Sequence, residues 1–262
     1  MKFIRWLLII AINYFIIQNV LADDTWQSNV SQAQMTFERA TGRPLRDGHR
    51  IEATVFPNYY AVRSGNVGGP AAYFRNDMMW TANIKSTGWS TMPLSESSAE
   101  SQAHWLKEQV EHLPLDKLIL VKRDKPPVAV IWSAPDCPFC RRLESALERE
   151  NVSVYVAPVG LSEEGYRLSA ELYCAQDPAK AWTATMQGGQ VNNTPRPGCV
   201  YQRDMLGDIG FFIGRGHPVT PIVAFADGTT ITGWDDEHAL VRLREKIAQN
   251  IFFPSPKTLD IK

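Results

Sequence analysis

The placement of the cysteines constrains this chain more than any other feature. All four, Cys137, Cys140, Cys174 and Cys199, lie in the second half of its 262 residues. Two of them form Cys137-Pro138-Phe139-Cys140, a C-x-x-C that closely follows the apolar run Val128-Ala129-Val130-Ile131-Trp132. A continuous apolar run of that length reads as a buried central strand, and residues 140–150 read as a helix. The motif therefore sits on a strand-to-helix junction, with Cys137 at or near the N-cap and Cys140 one turn inside. Pro138 takes the first helical position, where its missing N–H costs nothing. The helix N-terminus carries about half a positive charge and unpaired N–H groups, and both favour a thiolate on Cys137. A thiolate there attacks a disulfide and forms a mixed disulfide, which Cys140 is placed to resolve. Asp136 opposes the thiolate charge, and Arg141 and Arg142 partly offset it.

Other chemistries fit this placement poorly. A zinc ribbon needs a second closely spaced cysteine pair, which Cys174 and Cys199 do not supply, so no metal and no cofactor are expected. A purely structural Cys137–Cys140 bridge would be unusual on such a junction. With 27 basic and 28 acidic side chains and a formal net charge of −1, the chain has no excess of positive charge to neutralise phosphates. Nucleic acid is therefore not an expected partner.

Residues 1–22 read as a signal peptide. Lys2 and Arg5 supply a positive start, Trp6 to Ile17 is an apolar run broken only by Asn13, and Val20-Leu21-Ala22 offers a cleavage site. The rival reading, an uncleaved anchor, needs about 20 apolar residues, and Gln18-Asn19 interrupt the run before that length is reached. Export into an oxidising compartment allows disulfides to persist, whether catalytic or structural.

The rest of the first half lacks cysteine and has a different character. Residues 28–41 carry Val30, Ala33 and Phe37 at helical spacing, with Gly42 as a stop. Residues 51–56, 59–62, 71–74 and 79–84 are short strand-like runs separated by turn formers, and their pairing order is not legible. Tyr59, Tyr60, Tyr73, Phe74, Trp80 and Trp89 read as core and sheet packing. Residues 97–112 form a helix with a Ser97-x-x-Glu100 capping pattern, ended by Pro114. The second half alternates strands and helices, as an α/β domain does. Strand-like runs at 118–121, 128–132 and 152–156 precede helices at 163–174, 178–187 and 205–213, with Pro126-Pro127 read as a break. A hairpin of 222–226 and 229–232 turns at Asp227-Gly228, read as a two-residue turn with both residues at positive φ. A helix over 235–249 closes the domain.

Thr220-Pro221 directly precedes the strand at Ile222, where an interior proline is normally excluded. It is either a cis peptide that brings backbone beside the redox cysteines or an ordinary proline at the start of a strand, and taken alone the second reading is simpler. His217 is either a proton-transfer residue near Cys137 or a solvated loop histidine.

Taken together, Val130 to Cys140, Val219 to Thr229 and Leu172-Tyr173-Cys174-Ala175-Gln176-Asp177 resemble the bacterial periplasmic disulfide isomerases DsbC and DsbG. The likeness runs over roughly residues 117–250. It implies an α/β thioredoxin-like catalytic domain with a helical insertion (117–251), preceded by a small α+β, cystatin-like dimerisation domain (23–96) and a linker helix (97–116). Residues 252–262 are left as a tail. In this reading Cys137 is the nucleophile, Cys140 the resolving thiol, and Thr220-Pro221 a cis-proline loop that contacts substrate backbone. The threonine before the proline favours an isomerase or reductase over a DsbA-like oxidase. Cys174–Cys199 is implied as a structural disulfide, and the alternative of a second redox pair lacks C-x-x-C geometry. Closing a loop of that size stabilises by about 3.5 kcal/mol in the chain-entropy account. The resemblance further implies a periplasmic homodimer, misfolded or misoxidised exported proteins as substrates, and a membrane-bound thiol reductant. One departure is the Pro-Phe dipeptide, where the isomerases carry Gly-Tyr or Pro-Tyr. A reading from another class is a holdase chaperone or an assembly factor for a secretion or conjugation apparatus.

Overall fold

The computed structural model describes residues 29–65, 72–82, 99–189, 194–216 and 219–254. The expected signal peptide, the capping pattern at Ser97, Trp89 and His217 lie outside these residues. The chain divides into two units, one comprising Met1–Thr54 with Asn58–Met92 and the other Val55–Pro57 with Pro93–Lys262.

In the smaller unit, helix α1 (29–41) precedes strands β1 (His49–Ala53), β2 (Tyr59–Ser64), β3 (Ala72–Arg75) and β4 (Thr81–Ala82). The strands pair in chain order as an antiparallel meander, with Ile51 opposite Val62 and Tyr60 opposite Phe74. Ala33 of α1 is buried with Ile51, Tyr60, Val62 and Phe74, and Val30 and Phe37 pack against that cluster. The helical spacing of these three residues thus lays one face of α1 on the sheet. Tyr59 and Trp80 meet edge to face at 5.2 Å, and both are buried.

The larger unit holds α2 (Ala99–Val110), β5 (Ile119–Val121), β6 (Lys125–Ser133), α3 (Pro138–Glu150) and β7 (Val152–Pro158). Helices α4 (Glu163–Tyr173), α5 (Pro178–Met186) and α6 (Arg203–Ile213) follow. The hairpin β8 (Ile222–Phe225) and β9 (Thr230–Thr232) and helix α7 (His238–Ala248) complete it. The sheet order is β5-β7-β6-β8-β9, with β6 and β7 parallel and the other pairs antiparallel. The central strand β6 is flanked on both sides and buried from Val128 to Ile131, as its unbroken apolar run demands.

Two local readings change. Pro126-Pro127 does not break the chain but lies inside β6, in a stretch where the register to β7 shifts between Lys125 and Ala129; the ladder is already interrupted there, so the missing N–H groups are tolerated. The β8–β9 turn places only Gly228 at positive φ (82°) and leaves Asp227 outside that region. The Gly228 N–H donates to the Phe225 carbonyl at 3.0 Å, and the Phe225 N–H donates to the Thr229 carbonyl at 2.9 Å. This is a three-residue loop with a glycine bulge, held by the Asp227 carboxylate accepting from the Thr229 N–H at 3.0 Å and its hydroxyl at 2.7 Å. Gly214 closes α6 with φ −85°, while Arg215 (53°) and Gly216 (78°) take the left-handed positions. The Gly216 N–H reaches the Phe211 carbonyl at 2.9 Å and the Arg215 N–H the Phe212 carbonyl at 3.1 Å, a Schellman ending.

Helix α2 packs within the larger unit, where a Cβ at Gly228 would meet the Ala103 carbonyl and the Lys107 N–H. The insertion of α4 and α5 is closed by a Cys174–Cys199 disulfide with a Cα–Cα distance of 5.6 Å. The Arg196 N–H donates to the Cys174 carbonyl at 2.7 Å and the Gln176 N–H to the Thr194 carbonyl at 2.9 Å, so backbone contacts reinforce the bridge. Trp182 of α5 is fully buried and donates to Glu144 of α3 at 3.4 Å, and Glu144 also pairs with Arg123.

Candidate active site

Cys137 is the N-cap residue of α3 with extended backbone (φ −102°, ψ 120°), and Pro138 opens the helix. The extended conformation is what an N-cap requires, because the residue carries the chain from the loop after β6 into the helix. Cys140 follows on the face of α3 that carries Leu143 and Leu147 into the core. Both cysteines are free thiols, 2% and 1% exposed. Pro138 and Phe139 between them face outward, with Phe139 47% exposed beneath the Arg142 guanidinium at 4.6 Å.

The loop before β8 comes to the same place from far along the chain. The Thr220–Pro221 peptide is cis. The Cys137 thiol donates to the Thr220 carbonyl at 3.6 Å. Cys137, Cys140, Thr220 and Pro221 are therefore brought together. Cys174 and Cys199 are joined to each other in the insertion. Among the described residues no group of three or more His, Cys, Asp or Glu side chains is arranged to hold a metal ion.

The Cys140 sulfur accepts from the Ala134 N–H at 3.4 Å, and the Ser133 hydroxyl faces it. Burial pushes the Cys140 thiol up to about 12; the donors at Ala134 and Ser133 pull it back, and neighbouring Cys137 adds to the rise. The pair is thus asymmetric. Cys137 caps the N-terminus of α3 and meets the Thr220 carbonyl, whereas Cys140 is held as a neutral thiol inside the fold. This arrangement can run thiol–disulfide exchange in which the helix-capping sulfur attacks and the one inside the helix resolves.

Asp136 is tied to a second helix. Its carboxylate turns away to the N-terminus of α4, accepting from the Leu161 N–H at 3.1 Å, the Ser162 N–H at 3.1 Å and the Ser162 hydroxyl at 2.9 Å. Ser162 caps α4 by accepting from the Gly165 N–H at 3.0 Å. The negative charge is therefore engaged with helix-terminal donors, a favourable site for an anion. Arg141 is likewise occupied, donating to the Pro135 carbonyl at 3.1 Å, and Arg142 pairs with Asp236 at 3.4 Å. The one sequence signal for Asp136 is Gly160-Leu161-Ser162 ahead of Glu163-Glu164, a helix start with donors to satisfy. For Ser133 and Ala134 no sequence signal exists.

The profile of thioredoxin-like domains matches residues 116–248, half of the chain. The chain belongs to the thioredoxin-like family. Among curated proteins it is 33% identical over 129 residues to a probable thiol:disulfide interchange protein DsbC of Bordetella pertussis, covering 47% of this chain and 44% of that protein. A protein of the same name from Bordetella parapertussis is 30% identical over 138 residues, covering 48% and 47%. The chain thus spans a little under half the length of the curated relatives it matches. Of solved structures, a disulfide interchange protein from Neisseria gonorrhoeae is 32% identical, with a TM-score of 0.44 over 54% of this chain and all of that one. In the family's frame, α4 and α5 form an insertion between β7 and α6, and the C-x-x-C opens α3.

Proposed function

We propose that this protein is a thiol–disulfide oxidoreductase acting on exported proteins, chiefly as a disulfide isomerase or reductase. The observation that carries the reading is Cys137 at the N-cap of α3, 3.6 Å from the Thr220 carbonyl, with Cys140 buried one turn further in. The Cys137 thiolate attacks a substrate disulfide, one substrate sulfur leaves, and a Cys137–substrate mixed disulfide forms. An isomerase then lets another substrate thiol attack that bond and regain Cys137 reduced. A reductase cycle ends with Cys140 displacing the substrate and forming Cys137–Cys140. Thr220-Pro221 holds the substrate backbone beside the exchanging sulfurs, and Cys174–Cys199 keeps the insertion in place. The DsbC name of the Bordetella relatives supports the same class of reaction.

The remaining parts follow from that reading. Residues 1–22 direct export to the periplasm, the smaller N-terminal unit mediates homodimerisation, the segment 97–116, which carries α2, links it to the catalytic domain, and a membrane-bound thiol reductant returns Cys137 to the thiol form. The test is recovery of native activity from a scrambled multi-disulfide protein in a mild redox buffer, with Cys137→Ala in parallel. Recovery by the native chain and none by the variant is expected. Fast oxidation of a reduced substrate without reshuffling would assign an oxidase instead. Full biological function in Cys137→Ala would assign a holdase or assembly factor.

A further inference from the structure

One buried polar group beside the cysteines has no role in the scheme above. Ser133, the last residue of β6, is 1% exposed, and its hydroxyl has no hydrogen-bond partner. Leaving a buried hydroxyl unpaired is costly, and such groups are rare in native folds. What it faces is the Cys140 sulfur, and the next residue, Ala134, already sends its N–H to that sulfur at 3.4 Å. A neutral thiol is a weak acceptor and uses these donors poorly. A thiolate is a strong one, and hydrogen bonds to charged groups are about twice as strong as neutral ones.

Resting on the exchange chemistry proposed for this site, we infer that Ser133 is a catalytic residue, its hydroxyl donating to the Cys140 sulfur whenever that sulfur carries negative charge. Together with the Ala134 N–H it forms a two-donor cradle, empty of charge at rest and filled during the reaction. In the resolving step the Cys140 thiol gives its proton to solvent, and the thiolate attacks Cys137 Sγ of the mixed disulfide. The Cys137–Cys140 bond forms, the Cys137–substrate bond breaks, and the substrate sulfur leaves with the electron pair and takes up a proton. The two protein cysteines are oxidised and the substrate is reduced. In the reverse direction a substrate thiolate attacks Cys137 and Cys140 is the leaving thiolate, stabilised by the same donors. Ser133 keeps its own proton throughout.

The experiment mixes the reduced full-length protein with dithiobis(nitrobenzoate), whose coloured thiol counts each step. Attack by Cys137 releases one equivalent and resolution by Cys140 releases the second. Ser133→Ala is expected to slow the second release by about tenfold relative to the first, and to move its pH dependence to higher pH. The near-isosteric pair Ser133→Thr and Ser133→Val separates the hydroxyl from packing: Thr is expected to keep the fast second release and Val to lose it. Equal second releases in the native chain and Ser133→Ala, or in the Thr and Val variants, would overturn the assignment while leaving the exchange reading intact. A native chain that releases neither equivalent would remove the exchange reading, and this inference with it.

Discussion

The two cysteines of the motif are three positions apart in the chain and far apart in setting, because one caps a helix and the other lies one turn inside it, among the core residues. Cys140 is pushed up to about 12 chiefly by burial, so at neutral pH very little of it is thiolate. In Cys137→Ala, alkylation of Cys140 by iodoacetamide is expected to be orders of magnitude slower at pH 8 than in the urea-unfolded chain. Its rate is expected to rise about tenfold per pH unit well beyond the usual thiol pKa of about 8.5. Mass spectrometry of timed samples checks this, and a native rate that levels off near pH 9 would contradict it. The identities and chain positions of these residues are legible in the sequence. Their environments are not: Ser133, Ala134 and Asp136 are neighbours of the motif, yet only the packed structure says that the first two face Cys140 and the third turns to α4. The Asp136 carboxylate, a neighbour of the motif in the chain, is placed by hydrogen-bond satisfaction at the N-terminus of α4.

Elements are positioned here by caps and close approaches. The N-terminus of α4 is pinned to the loop ahead of Cys137 by the Asp136 carboxylate, and the pinning requires glycine at 165, where a Cβ would fall on that carboxylate. Gly165→Ala is expected to cost about 1–3 kcal/mol, by the overpacking it forces in a buried position. It should also raise the hydrogen-exchange rate of the Leu161 and Ser162 amides. Urea unfolding and exchange measured on the same variant test both parts, and unchanged protection at Leu161 would sink the clamp. Helix and strand existence followed the sequence pattern closely in both units. The errors were at boundaries and turns, where Pro126-Pro127 and Asp227-Gly228 were judged by local propensity. A register shift in β6 accommodated the first pair, and a glycine bulge rather than a two-residue turn accommodated the second.

At the scale of the molecule, the insertion between β7 and α6 is the part that a bare strand–helix alternation does not demand. It is tied by Cys174–Cys199 with a sequence separation of 25, which restricts the unfolded chain. Replacing both cysteines with alanine is expected to lower stability by about 3.5 kcal/mol, read from the urea midpoint together with a slope that rises somewhat as the released unfolded chain exposes more surface. A loss well under 1 kcal/mol would mean that Trp182 and the Arg123–Glu144 pair hold the insertion without the covalent link.

The sequence by itself determined the class of fold, the division into a cysteine-free half and a half that holds all four cysteines, and the residues proposed to exchange disulfides. Those features are written in short-range patterns: a buried apolar run, a C-x-x-C with proline at the first helical position, and alternating strand and helix periods. The tertiary structure alone decided the strand orders, the meeting of Cys137 with a carbonyl 83 residues away, and the surroundings of Cys140. It did so because contacts between segments distant in the chain are selected by the joint requirement to bury apolar surface and satisfy buried polar groups, and no local stretch of residues encodes that selection.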